Sequence, residues 1–271
     1  MMSYDFKAQI VMITGASSGI GLAFAHAFAR RGAHLVLVAR SEDKLLAICD
    51  ELSRTYGIRA IAIAADLSLA GACEQVYRHA CDQGFEPTVL VNNAGFATYG
   101  RFESVPLVRQ RDEVMLNCLA VVEMAHHVLP AMLRQRRGVI INVASTAAFQ
   151  PDPYMAIYGA SKAFVLSFSE ALWAENLDHG LRVLALCPGA TETAFFDVVN
   201  AKEASVGKRM AVETVIDVAL SAVARNRSYV IAGRMNCILG QLYRLLPRML
   251  ILKIVRKMLE PKQNRERPAQ V

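Results

Sequence analysis

Tyr158 and Lys162 lie four residues apart in the stretch YGASK. On a helix that spacing puts a phenol and an ammonium on one face. A free phenol titrates near pH ~10, so about one in a thousand is ionised at neutral pH. Lowering that value by two to three units takes roughly 3–4 kcal/mol of preferential support for the phenolate. An adjacent ammonium, helped by a further positive charge brought in by a bound partner, can supply it in a dry cleft. Ser145 stands thirteen residues before Tyr158, at the end of the apolar run GVIINVAS. A surface helix can carry such a pair with no chemical consequence, and a strand-end serine can be a simple cap. The elements around them decide.

Short apolar runs alternate with longer helical patterns. The strand candidates are IVMIT, HLVLVA, AIAIAA, TVLVN, GVIINVAS, LRVLALCP and SYVIAG. Most are rich in Val, Ile and Leu without alternation, as expected of parallel strands buried on both faces. Gly32 and Gly57 stand where the intervening helices should stop. The rhythm predicts an α/β fold, a single-domain Rossmann-like doubly wound parallel sheet of about seven strands with helices on both faces. It runs from residue 1 to 233. Residues 234–271 form a different segment, helical in pattern, interrupted at Pro247 and ending in a polar tail.

The first strand leads into TGASSGIG, Thr14 to Gly21. Glycines there let the backbone approach a pyrophosphate at a helix N-terminus. The turn offers Gly15, Ser17, Ser18, Gly19, Ile20 and Gly21. At the end of the second strand an NAD-binding fold usually places an acid. This chain has Ala39, then Arg40 and Ser41. A guanidinium binds a 2′-phosphate that a carboxylate would repel, so Arg40 argues for NADP(H). Later strands end in ADLS, with Asp66 and Leu67, in NNAG, with Asn93, Ala94 and Gly95, and in CPGATET, with Pro188, Gly189, Thr191 and Thr193. All sit at carboxyl ends of strands, where open α/β sheets bind ligands.

With TGxxxGxG, NNAG, a helical asparagine, Ser–Tyr–xxx–Lys and PGxxxT present in order, the chain resembles a short-chain dehydrogenase/reductase from about Lys7 to Gly233. The resemblance implies that Ser145 holds a substrate oxygen and that Tyr158 is the acid or base. It implies that Lys162 binds the nicotinamide ribose and tunes Tyr158, and that Asn117 anchors a water in a proton relay. Tyr158 and Lys162 thereby belong to both the catalytic and the cofactor sets. The reaction implied is NADPH-dependent reduction of a ketone or aldehyde, with no metal. The alternative is a catalytically silent NADP-binding sensor or scaffold.

The loops expected to frame the substrate carry Phe96, Tyr99, Phe102, Phe149, Tyr154, Met155, Phe195 and Phe196 and no arginine cluster, which suggests an apolar carbonyl compound. Net charge is +6, but much of the basic excess follows Arg225 rather than interleaving with aromatics, which argues against nucleic acid. Six cysteines without a CxxC pair and six histidines without ligand spacing argue against a zinc site, and the cysteines fit a reducing, cytoplasmic setting. No uninterrupted apolar run reaches the length of a membrane span. Family members are commonly dimers or tetramers, which implies a homodimer or homotetramer. Residues 247–259 read as a basic amphipathic helix able to pack on the body, on a second subunit or on a membrane surface.

Overall fold

The computed structural model describes residues 4–193, 209–242 and 246–261. Phe195, Phe196 and most of the polar tail lie outside the described residues. Seven parallel strands form one sheet: β1 (Ile10–Thr14), β2 (His34–Ala39), β3 (Ala60–Ala64), β4 (Val89–Asn92), β5 (Gly138–Val143), β6 (Leu181–Cys187) and β7 (Tyr229–Ile231). Their order is β3-β2-β1-β4-β5-β6-β7, and every pairing is parallel. Strand order therefore reverses between β1 and β4, which opens a crevice above their carboxyl ends.

Strands β1 to β6 feed both cores. From β1, Val11 and Ile13 join Phe24 and Phe28 of helix α1 (Gly19–Ala29), Leu45 and Leu52 of α2 (Glu42–Tyr56) and Val215 of α7 (Val212–Ala224). Met12 turns to the opposite face with Val76 of α3 (Ala72–Asp82) and Met124, Val128 and Met132 of α5 (Ala120–Gln135). Burial on both faces is why the strands read as continuous apolar runs. Gly57 closes α2 in the left-handed conformation at φ 65, a shape that costs any side chain strain.

Helix α4 (Leu107–Val114) continues through a π-helical turn, Met115–Leu119, into α5. The continuous stretch Leu107–Gln135 contains an 18-residue window apolar enough to cross a membrane. Here its apolar face is core, with Met124 and Val128 fully enclosed against the sheet.

Helix α6 (Ala156–Glu175) follows β5 after a short 3-10 turn, Thr146–Phe149. The chain then ends in α8 (Arg234–Leu242) and α9 (Arg248–Leu259), the latter starting directly after Pro247. Ile251, Val255 and Leu259 of α9 are buried against the body, with Tyr154 and Leu246 packed beside them. The amphipathic tail thus packs on its own chain along one face.

Candidate active site

Helix α6 carries Tyr158 and Lys162 on one face, as their spacing requires, and the loop after β5 brings Ser145 to them. Ser145 lies two residues beyond the strand and caps the 3-10 turn, where its Oγ accepts from the Ala147 N–H at 3.1 Å. The Tyr158 hydroxyl is hydrogen-bonded to Ser145. Lys162 is buried, and its Nζ donates to the Val143 carbonyl at 2.8 Å while lying 5.7 Å from the Tyr158 ring centroid.

Burial dominates the titration of both groups. It pushes the phenol of Tyr158 up to about 12, against the lowering effect of the Ser145 hydrogen bond. It pushes Lys162 down to about 8. The expected lowering of the phenol by its lysine is therefore reversed in the chain by itself. Desolvation outweighs an ammonium whose proton is committed to a backbone carbonyl. The result is a neutral phenol, the form that gives a proton.

Asn117 sits in the π turn, a local widening of the helix often seen at functional sites. Its Nδ2 donates to Phe96 O at 2.9 Å and to Ser161 Oγ at 3.1 Å, and its Oδ1 accepts from Phe96 N at 3.2 Å. Both amide hydrogens are thereby engaged, so the side chain works here as a clamp on the loop after NNAG. Gly95 permits this approach: a Cβ there would stand 2.9 Å from Asn117 Oδ1. One helical turn earlier, buried Glu113 extends the clamp, its Oε2 accepting from the N–H and hydroxyl of Thr98 at 3.1 and 2.6 Å.

At the other end of the crevice, Thr14 and Asn93 knit the glycine turn to β4. Thr14 Oγ1 accepts from the N–H groups of Asn93 and Ala94 at 2.9 and 3.0 Å, and Asn93 Nδ2 donates to the carbonyls of Thr14 and Gly15 at 2.9 and 3.1 Å. Gly15 has φ 66, and a Cβ there would press on Asn93 and Ala94. A Cβ at Gly21 would collide with the Gly15 carbonyl oxygen. Gly21 thus shapes the turn from behind, while Gly15, Ser17, Ser18, Gly19, Ile20 and Asn93 line the crevice. Helix α1 starts there with no side-chain cap and no acid in its first turn. Its first N–H groups and its dipole are left for an anion.

Arg40 and Ser41 are exposed at the rim. Asp66 faces the crevice with Leu67, and its carboxyl is held below its usual range, first by the Ser68 hydroxyl at 2.6 Å and also by the charge of Arg40. Pro188, Gly189, Thr191 and Thr193 also line the crevice, with Thr193 lying against Gly19, and Thr191 Oγ1 donates to Gly189 O at 3.0 Å. The crevice and the Ser145–Tyr158–Lys162 corner form one cavity of about 510 Å³. A glycine cradle that a Cβ would fill, an uncapped helix start and a rim guanidinium fit a nicotinamide dinucleotide bearing a 2′-phosphate. Among the described residues no cluster of His, Cys, Asp and Glu could hold a metal.

The substrate end is partly as expected. Phe96 and Met155 line it. Phe102 points away and is 60% exposed, and Phe149 packs on Tyr229 at 6.1 Å between ring centroids. Two groups of cavity residues escaped the sequence reading. Gln150 and buried Asp152 face the cavity, with Gln150 Nε2 donating to Asp152 Oδ1 at 3.0 Å, and burial pushes the Asp152 carboxyl up to about 6. Leu239 of α8 and Val255, Met258 and Leu259 of α9 form an apolar wall. Tyr99 pins that wall by donating to Leu259 O at 2.7 Å, and Tyr154 donates to Glu260 Oε1 at 3.3 Å.

Residues 9–204 match the short chain dehydrogenase family, and the chain belongs to it. It is 36% identical over 204 residues to 17-beta-hydroxysteroid dehydrogenase type 3 of Rattus norvegicus, covering 71% of this chain and 63% of that one. It is 30% identical over 261 residues to very-long-chain 3-oxoacyl-CoA reductase of Mus musculus, covering 94% of this chain and 80% of that one. Several such relatives are longer, and the chain spans 54% to 63% of their length. Among solved structures it resembles a short-chain dehydrogenase from Sphingobium yanoikuyae in complex with NADPH, with a TM-score of 0.79, 32% identity, and coverage of 97% of this chain and 98% of that one.

Proposed function

We propose that the protein is an NADPH-dependent reductase that converts an apolar ketone or aldehyde to an alcohol. The observation that carries this reading is the convergence of Ser145, Tyr158 and Lys162 at the junction of the glycine cradle and the apolar wall, within one cavity. NADPH, when bound, supplies the hydride to the carbonyl carbon. Gly15 to Ile20 and the start of α1 hold its diphosphate, and Arg40 holds its 2′-phosphate. Ser145 donates a hydrogen bond to the carbonyl oxygen, and neutral Tyr158 gives that oxygen its proton. Lys162, charged at neutral pH, supports the phenolate that remains. Asn117 and Glu113 position the Phe96–Thr98 loop between the two halves.

The apolar lining, together with relatives named for steroid and very-long-chain 3-oxoacyl substrates, directs the choice toward large apolar carbonyl compounds. The experiment is NADPH oxidation followed by absorbance against steroid ketones, 3-oxoacyl thioesters and long-chain aldehydes, with NADH in parallel. Turnover of a bulky apolar carbonyl with NADPH is expected. Turnover confined to small polar carbonyls would overturn the substrate reading, and silence across the panel with tight NADPH binding would overturn the enzymatic one. As an extension of the family resemblance, we take the working unit to be a homodimer or homotetramer, which sedimentation velocity measures directly.

A further inference from the structure

Helix α8 is amphipathic in the wrong direction for a core helix. Its packed side is Gly240, where a Cβ would lie 2.9 Å from Ile231 and 3.7 Å from Phe149. Its apolar stripe at i, i+3, i+4, i+7 is Met235, Ile238, Leu239 and Leu242, and these are 66%, 61%, 42% and 42% exposed. Helix α9 adds to the same surface. With Ile251, Val255 and Leu259 turned inward, it leaves Met249, Leu250, Ile254 and Met258 exposed. Leu239 and Met258 belong both to this surface and to the wall of the substrate cavity. The cavity therefore opens within it.

Charge identifies the occupant. Between Arg234 and Leu259 the sequence has six cations, Arg234, Arg244, Arg248, Lys253, Arg256 and Lys257, and no Asp or Glu. A second copy docked about a two-fold axis would set this patch against itself, cation facing cation. The large exposed hydrophobic residues between the described cations are aliphatic or Met, which suit acyl chains rather than the stacking of bases. We propose that α8 and α9 form a docking surface for an anionic phospholipid bilayer. The aliphatic stripe enters the headgroup boundary, the cations meet lipid phosphates and carboxylates, and the cavity mouth faces the lipid. Docking itself does not depend on which carbonyl compound is reduced.

Flotation of the full chain with vesicles tests this. The protein should float with phosphatidylcholine vesicles containing phosphatidylserine, release at high salt, and stay behind with pure phosphatidylcholine. Met235→Asp combined with Ile238→Asp should abolish flotation. Lys253→Ala combined with Arg256→Ala should weaken it by roughly fivefold per cation removed. The two cations are exposed, so this second variant decides the matter if the first fails to fold, as judged by thermal unfolding. Failure of the wild type to float on anionic vesicles would overturn the proposal. So would flotation indifferent to both double variants, or a lipid-free mass that falls on Met235→Asp/Ile238→Asp with no vesicle binding by the wild type. That last result would make a second copy the occupant.

Discussion

Glu113→Gln separates the charge of the loop clamp from its shape. The carboxyl is fully buried, and its Oε1 has no hydrogen-bond partner. Burial pushes it from 4.5 up to about 6 in spite of the two hydrogen bonds from Thr98. A carboxyl raised in the folded state binds its proton more tightly there than in the unfolded chain. Its contribution is neutral below the lower value and becomes a penalty as pH rises through the window from 4.5 to about 6. At neutral pH that penalty approaches ~2 kcal/mol, from ~1.4 kcal/mol per unit. Glutamine cannot titrate. Whatever its amide gains or loses against Thr98 applies equally at every pH, so the change with pH isolates the charge. Between pH 5 and pH 7.5 the wild type should lose about 1 kcal/mol of stability relative to the variant, by linkage. Urea unfolding of both proteins at several pH values measures it. Curves that stay parallel across that range would refute the reasoning, because they would mean that Glu113 holds its charge at no cost.

Tyr158→Phe should abolish carbonyl reduction while NADPH affinity, read by fluorescence titration, changes little; retained turnover would remove the phenol from the mechanism. Lys162, lowered to about 8 by burial, should set the alkaline limb of kcat/KM for reduction, flat at neutral pH and falling above about pH 8 as the ammonium is lost. A profile still flat well above that value would refute the assignment. Arg40→Ala should weaken NADPH by ~1.5–3 kcal/mol, the worth of a hydrogen bond to a charged group, and leave NADH nearly unchanged. Wild-type preference for NADH in the same titration would reverse the reading of Ala39 and Arg40.

The strands were legible because burial on both faces leaves them mostly apolar, and the runs IVMIT and HLVLVA match β1 and β2 residue for residue. Ser145, Tyr158 and Lys162 were legible because two lie on one helical face and the third at a strand end. The π turn at Asn117 was not, since one extra residue in a helical turn leaves the apolar periodicity almost intact. Glu113 reads as an ordinary helix acid, and only the packing of the Thr98 loop over it reveals a buried carboxylate. The upward shift of Tyr158 in the chain alone was not legible for a related reason: charge pairs are visible in a sequence, whereas desolvation is a property of the assembled fold. Phe102 and Phe149 share a loop composition with Phe96, and nothing local distinguishes the ring that faces the cavity from the rings that do not. The cavity wall from Val255 to Leu259 is contributed from almost a hundred residues beyond Tyr158, where spacing carries no information.

That wall also sets an order of events during synthesis. Every strand finds a sheet neighbour already made or made next, and Lys162 is translated long before Val255. At ~5–20 residues per second the interval is roughly 5–20 s. By its end the sheet is made while the substrate cavity still lacks a wall, because Tyr99 has yet to meet Leu259 O, its partner across 160 positions. A ribosome stalled near Gly233 would release a product with its sheet and glycine cradle in place and the substrate chamber missing a side.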